Sequence, residues 1–394
     1  MSQTQEFAPT ISTYRPTITT GVSPIGYGVK GSIVQPTLSS QIEGYSHTIQ
    51  AVGGYWSAQF KINTDQLTLE KWVTEGLGRH IEVTDNSAVI IWEGFVNKIS
   101  ASLGPLDFVT GPMMNVDNDV TLSYTTLDTT GIAPVFGAPK TLQVSNTASI
   151  AKYGQWPAVV SGGDISDARA ADQIGSYLAE NAWPTNSKSV NMGNAANPQV
   201  SVECLGYIHL YEKMPYTAAA GVDINLSDKI IAVLNAQLNG ITDTDFNYIE
   251  SNVLQVPPIE DKQNSGWQVI KNLLSFGDAA FNRYLFGMYA NQMPVYAAAP
   301  LTLEYQQQLS DPEQKVVALG GGRVLPWHIL PGKWLVFSDF LVGETEPADL
   351  RQDPRAMFIE SLTYTAPWGL QMRGGKTDTF AQQLAQAGLG TRAA

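Results

Sequence analysis

The stretch Tyr55 to Ile62, YWSAQFKI, sets Trp56, Ala58, Phe60 and Ile62 on alternate positions with Ser57, Gln59 and Lys61 between them. Successive side chains of a strand point to opposite faces, so this pattern requires a sheet with one covered apolar face and one polar face. The neighbouring runs GVKGSIVQPTL and YSHTIQAVGGYWSAQFKI are rich in β-branched and aromatic residues, and Gly53-Gly54 divides the second into two strands. The period then changes once. In TDQLTLEKWVTEGLG, Thr64 or Asp65 is placed to cap a helix carrying Leu69, Trp72 and Val73, with Gly76 or Gly78 as its stop. HIEVTD and AVIIWEGFVNKISASL resume the strands around a DNS turn. A small barrel plugged by one helix is the expectation.

Beyond Tyr124 the grammar is mixed. VFGAPKTLQVSNTASIAKYGQWPAVVSGG reads as loop-rich, and DISDARAADQIGSYLAENAWP reads as a helix capped by Asp164 or Ser166, with a stripe of Ala168, Ala171, Ile174 and Leu178. QVSVECLGYIHLYEKM reads as a strand buried on both sides. LSDKIIAVLNAQL, capped by Ser227, and NSGWQVIKNLLSFGD, capped by Asn264 or Ser265, read as helices. From about Phe286 strands return, in FGMYANQMPVYAAA, LTLEYQQQ, GKWLVFSDFLVG, RAMFIESLTYTA and GLQMR. KTDTFAQQLAQAGLG ends the chain as a short helix with Phe380 and Leu384 one turn apart. The fold class is therefore α+β, mainly β, with two small β-barrels and mixed α/β insertion domains. The expected divisions are an N-terminal arm over 1–24, a first barrel with one helix over 25–125, and a mixed insertion over 126–220. A helical and mixed section over 221–300 and a second barrel with the terminal helix over 301–394 complete them.

Composition limits the function. With 394 residues the chain exceeds one hydrophobic core, and its 15% of charged residues lies well below the roughly 25% of an average soluble domain. Neutral polar surface of this kind suits a protein largely covered by neighbours. The formal charge of −13 repels phosphate backbones, which argues against adhesive nucleic-acid binding but not against a wall that DNA slides past. Cys204 is the only cysteine, so no intrachain disulfide forms. The N-terminus has neither a basic nor an apolar signal region and is expected to be an exposed arm, and no window approaches a bilayer-spanning run.

Motifs for chemistry are absent. His47, His80, His209 and His328 share no helix face, Ser46 and His47 point to opposite sides of a strand, and neither GAPKT nor GGGR has phosphate-loop spacing. No catalytic, cofactor-binding or metal-binding residue is expected. Paired carboxylates drawn from Glu82, Glu93, Asp339 and Glu360 leave a glycoside hydrolase as one alternative. A cluster of solvent-facing aromatics would favour a carbohydrate- or receptor-binding protein instead. In LGRHIEVTDNSAVIIWEGFV, Arg79 and His80 follow a helix end that favours cations, and Glu82 and Asp85 fall on the solvated phase, so these charges read as a rim.

The order of segments resembles a family. GYWSAQFKI, a helix ending in GLGRHIEV and the strand IIWEGFV resemble the first tube-forming barrel of phage tail hub proteins, a family that includes baseplate hubs of contractile tails and the N-terminal part of siphophage tail-tip proteins. TASIAKYGQWPAVVSGGDISDARAADQIGSYLAE is similar to the family's Tyr-Gly segment and Ala-rich helix, and GDAAFNRYLFGMYANQMPVYAAAP to its Gly-Asp and aromatic strand. VLPWHILPGKWLVFSD with MFIESLTYTAPWGLQMRGG is similar to the second barrel. The resemblance spans about residues 25 to 390, and its joint order is more specific than any one motif.

The resemblance implies a non-enzymatic virion component at the tail tip or baseplate, assembled in the host cytoplasm. It implies a homotrimer whose six barrels form a pseudo-hexameric ring between distal tail or tail-tube proteins and tip or fibre proteins. DNA passes through the lumen without specific binding, no cofactor is needed and no membrane is entered. Cleavage of the cell wall or host binding would fall to another protein. Trp56, Phe60, Trp92, Trp334 and Phe358 are the structural and interface candidates, anchoring the barrels. Contacts between copies are expected at strand edges near WSAQFKI, IIWEGFV, WLVFSDF and FIESLTY. Pairing edges around a closed ring covers surfaces that proteins otherwise protect.

Overall fold

Two glycines fix the start of the fold. Gly53 and Gly54 take φ of 124° and 74°, and a Cβ on Gly54 would lie 2.3 Å from the carbonyl oxygen of Met288, so a residue without a side chain is required there. The computed structural model describes residues 9–16, 30–33, 42–128, 130–192, 196–213, 216, 224–237, 246–256, 265–279, 283–298, 302–305, 317–319, 322–324, 328–337, 355–366 and 369–375. Strand β1 (Thr10–Pro16) pairs with β2 (Lys30–Ile33), and β3 (Ile42–Gln50) forms a hairpin with β4 (Gly53–Asn63). Helix α1 (Gln66–Glu75) starts at Asp65, whose carboxylate accepts the Thr68 N–H at 2.8 Å, and stops at Gly76. It buries Leu69 and Trp72. Strands β5 (His80–Thr84), β6 (Ile90–Gly104) and β7 (Leu106–Thr110) follow, with β6 pairing first with β5 and then with β7.

The next segment leaves this sheet and builds a second core. Strands β8 (Asp119–Asp128) and β9 (Val135–Ser145) are antiparallel, helix α2 (Thr147–Tyr153) follows, and β10 (Pro157–Ile165) returns parallel to β8. Helix α3 (Asp167–Asn181), capped by Ser166, lays Ala170, Ile174 and Leu178 on Val120, Leu122 and Tyr124. Ala168 and Ala171, expected in the stripe, are exposed because the sheet meets the helix one position away. The stretch read as loop-rich thus holds two strands and a helix; Gly137, Pro139, Gly162 and Gly163 had masked their periodicity. Asn118 ties the unit together, donating to Ser149 Oγ at 3.1 Å and to the Gly154 carbonyl at 2.8 Å while accepting the Trp156 N–H at 2.7 Å.

The chain re-enters where it left. Strand β11 (Asn186–Val190) pairs with β7, and β12 (Ala196–Leu205) lies between β4 and β6 in the middle of the first unit. The inserted unit therefore begins near residue 119 rather than 126. Residues 186–205, assigned to the insertion by sequence, complete the main sheet through pairings no local pattern reveals. Next come α4 (Ile208–Lys213), β13 (Ile224–Asn225), α5 (Leu226–Gln237), β14 (Gln255–Val256) and α6 (Gly266–Leu274), the last capped by Ser265. Hairpin β15 (Tyr284–Tyr289) and β16 (Met293–Ala298) follows, and β15 meets β4 at the two glycines.

The C-terminal unit comprises β17 (Thr302–Tyr305), β18 (Val317–Leu319), β19 (Gly322–Val324), β20 (Trp334–Phe337), β21 (Ala356–Thr365) and β22 (Gly369–Gly374). Strand β21 pairs with β20, with β22 and, through Ser361–Thr365, with β3. One continuous order results, β2-β1-β5-β6-β12-β4-β3-β21-β20-β17-β18-β19. The fold is α+β and mainly β, with 22 strands and six α-helices among the described residues. The ladders that would close either unit into a ring are not among those of the described residues. The expected terminal helix with Phe380 and Leu384, and most of the 1–24 segment, lie outside the described residues; the described part, Thr10–Pro16, is not an exposed arm but strand β1, paired with β5 and burying Ile11 and Thr13.

Candidate functional site

The charges read as a rim are buried. Arg79, His80, Glu82, Asp85 and Glu93 all lie within the fold. Strand β5 is covered on both faces: Ile81 and Val83 enter the apolar core, and His80 and Glu82 meet a polar cover. Polar residues on alternate positions of a strand mark a face without apolar packing, and here that face is covered by other polar groups instead of water.

Each of these side chains reaches a different part of the chain. His80 Nε2 lies 3.1 Å from Glu82 Oε1, and His80 Nδ1 contacts the Tyr207 hydroxyl. The Tyr14 hydroxyl of β1 donates to Glu82 Oε2 at 3.1 Å. Arg79 Nε donates to the Glu75 carbonyl at the end of α1 at 3.0 Å, and the guanidinium covers the Trp72 ring at 5.2 Å. Glu93 accepts the N–H of Asn291 at 2.6 Å in the turn between β15 and β16. Asp85 accepts from the Ser87 and Val89 amides at 2.8 and 3.0 Å and pairs with His328 Nε2 at 2.8 Å. Burial alone would raise the Asp85 pKa, yet those amides and the His328 ring hold it below the usual value.

Tyr207, His80, Glu82 and Tyr14 form a chain that resembles a proton relay, and Glu82 and Glu93 are register partners across β5 and β6. A glycosidase needs two carboxylates open to a sugar ring. Exposures of 6% and 1% close both from such a substrate. Glu360 is exposed on β21, which pairs with β3, β20 and β22 and not with β5 or β6, and Asp339 lies outside the described residues. The arrangement ties segments together. Among the described residues no group of three or more His, Cys, Asp or Glu is placed to hold a metal ion, and no helix is long and apolar enough to cross a membrane. Cys204 is buried, and burial pushes its thiol pKa well up.

His47 on β3 sits at the junction with the C-terminal unit. Its Nδ1 meets the Tyr45 hydroxyl at 2.9 Å, its ring lies 5.4 Å from that of Tyr364, and burial lowers its pKa to about 3. The ring is neutral in the fold at ordinary pH.

Of the five aromatic candidates, Phe60, Trp92 and Phe358 are buried and Trp56 and Trp334 half-buried. Phe60 packs edge-on to Trp72, Trp56 edge-on to His209 at 4.3 Å, and Trp334 edge-on to Phe358 at 5.8 Å. Much of the described length of these strands is paired on both sides within the chain, whereas Ile90–Gly94 of β6 has a ladder on the β5 side. Strand β4 is flanked by β3 and β12, β6 by β5, β7 and β12, β20 by β17 and β21, and β21 by β3, β20 and β22. Strand β12 fills the edge of β4 and that of β6 from Phe95 onward.

Open surface lies elsewhere. Strands β9, β10, β11 and β22 have a partner on one side among the described residues. On β9, Pro139 and Lys140 blunt the edge. The tip of the β8–β9 hairpin exposes Ile132, Val135 and Phe136, the last two by 62% each. Five successive apolar residues, Ile132 to Phe136, were the sequence signal for it. Among the described residues the exposed aromatics, Phe136, Trp183, Tyr248 and Phe276, fall on separate elements. An apolar groove of about 310 Å³ lies between the β15–β16 hairpin and Leu330–Lys333.

No family model matches the chain, and no curated protein matches it. Two solved structures are similar to it at a distance. The prophage MuSo2 43 kDa tail protein from Shewanella oneidensis aligns over 92% of this chain and 95% of that one, with 8% identity and a TM-score of 0.40. The tail protein from Neisseria meningitidis MC58 aligns over 95% of this chain and 99% of that one, with 9% identity and a TM-score of 0.40.

Proposed function

We propose that the chain is a structural, non-enzymatic component of a phage tail, of the hub type, in which three copies form a ring that joins the tail tube to the tip and lets DNA pass. The observation that carries this reading is the β3–β21 ladder. It sets two strand-rich units side by side in one sheet, which supports a reading in which each copy would supply two positions of a ring and three copies six. The order of segments resembling tail hub proteins runs through both units. The −13 charge suits a wall that does not trap phosphate. The enclosed carboxylates favour a structural role over hydrolysis. Native mass spectrometry and electron microscopy of the purified chain test it. The expected result is a trimer with a central channel and six peripheral densities; a monomer at every concentration, or an assembly without a channel, would overturn it.

A further inference from the structure

We infer that the β8–β9 hairpin tip of one copy seats in the apolar groove of the next, a head-to-tail contact between copies of this chain. The inference rests on the ring reading above and adds a contact that the reading does not specify. Ile132, Ala133, Pro134, Val135 and Phe136 are all exposed, so the tip is not seated in its own chain's groove. A continuous apolar projection on a soluble surface is a feature that partners cover. The groove is lined by Tyr55, Phe286, Tyr289, Met293, Leu330 and Pro331, among others, with Leu330 exposed by 40%. Its volume of about 310 Å³ is at the lower bound of ligand pockets, which suits a pair of apolar side chains better than a large ligand.

Charge supports the same occupant. Asp128 stands at the base of the tip, and donation from the Thr130 hydroxyl and amide holds its pKa low, so it is anionic. Lys333 lines the groove and supplies the opposite charge. Projection and groove lie on different parts of one chain, so the contact is heterologous; repeated by a rotation of a third of a turn with no rise it closes a ring of three. Pro134 and the β8–β9 ladder hold the projection in shape, which limits the entropy lost on seating it.

Two measurements on the full chain test this. In the first, Phe136→Asp and Phe136→Leu are compared with wild type for the concentration at which the oligomer dissociates, with melting temperature as the control for folding. Phe136→Asp should raise that concentration about tenfold or more, and Phe136→Leu should restore assembly. In the second, Phe136→Cys copies are mixed with Met293→Cys copies under oxidising conditions. Disulfide-linked dimers should form in the mixture and not in either variant alone, with Cys204 buried in both. Normal assembly of Phe136→Asp, or a mixture without cross-links, overturns the contact while leaving the ring intact. A wild type that remains monomeric overturns both.

Discussion

The main sheet and the inserted α/β unit use strands of similar length but stand on different supports. The main sheet encloses Trp72, Trp92, Phe60 and Phe95 and fills both edges of its central strands. The inserted unit rests on seven buried residues, from Val120 to Ala182, and leaves β9 and β10 each paired on one side. Whether a strand becomes core or surface is decided by what covers its second face and its outer edge, and less by its own residues.

The largest expected effect sharpens that contrast. Trp92→Ala, at a site with 0% exposure, should cost about 3–5 kcal/mol in chemical denaturation. Ile174→Ala in the inserted unit should cost about 2–4 kcal/mol, with loss of hydrogen-exchange protection confined to 119–181. Equal loss across the main sheet would show that the two regions unfold as one.

Acid tests the junction next. The unfolded His47 ring takes a proton below pH 6.5, whereas the folded one resists until about pH 3. The unfolded state therefore binds more protons in that window, and stability falls with decreasing pH by about 1.4 kcal/mol per unit. His47→Gln should remove this slope between pH 6.5 and 3 in denaturation at stepped pH. Below the ordinary carboxylate range a further slope remains, to which Asp85 contributes together with Asp65, Asp128 and Asp167, all held below the usual value and all losing a stabilising charge there. The smallest effect is at a helix cap: Ser166→Ala should cost about 1 kcal/mol, seen in the inserted unit alone.

The parts of the fold that were legible are those written in short windows. Asp65 with Gly76, Ser166 and Ser265 mark helix ends because capping is a local hydrogen-bond requirement. Strands β4 and β6 follow from alternation. The place of β12 between β4 and β6 was not legible, since pairing over more than a hundred residues leaves no local trace. The buried polar ties of His80, Glu82 and Asp85 were missed for a related reason: their partners Tyr14, Tyr207 and His328 are far away in sequence. The apolar tip was visible as residues, but its exposure was not, because a run such as Ile132–Phe136 reads equally as core.

The ladder from Ser46–Gln50 to Ser361–Thr365 also has a mechanical meaning. A tether between two lobes lets them swing, whereas a shared row of backbone bonds fixes the angle between them by the natural twist of the sheet. Load applied to one half is carried into the other through shear across that row, with Thr48 and Thr363 bridged at 3.1 Å beside it. A particle built from such copies would inherit its curvature from a rigid seam.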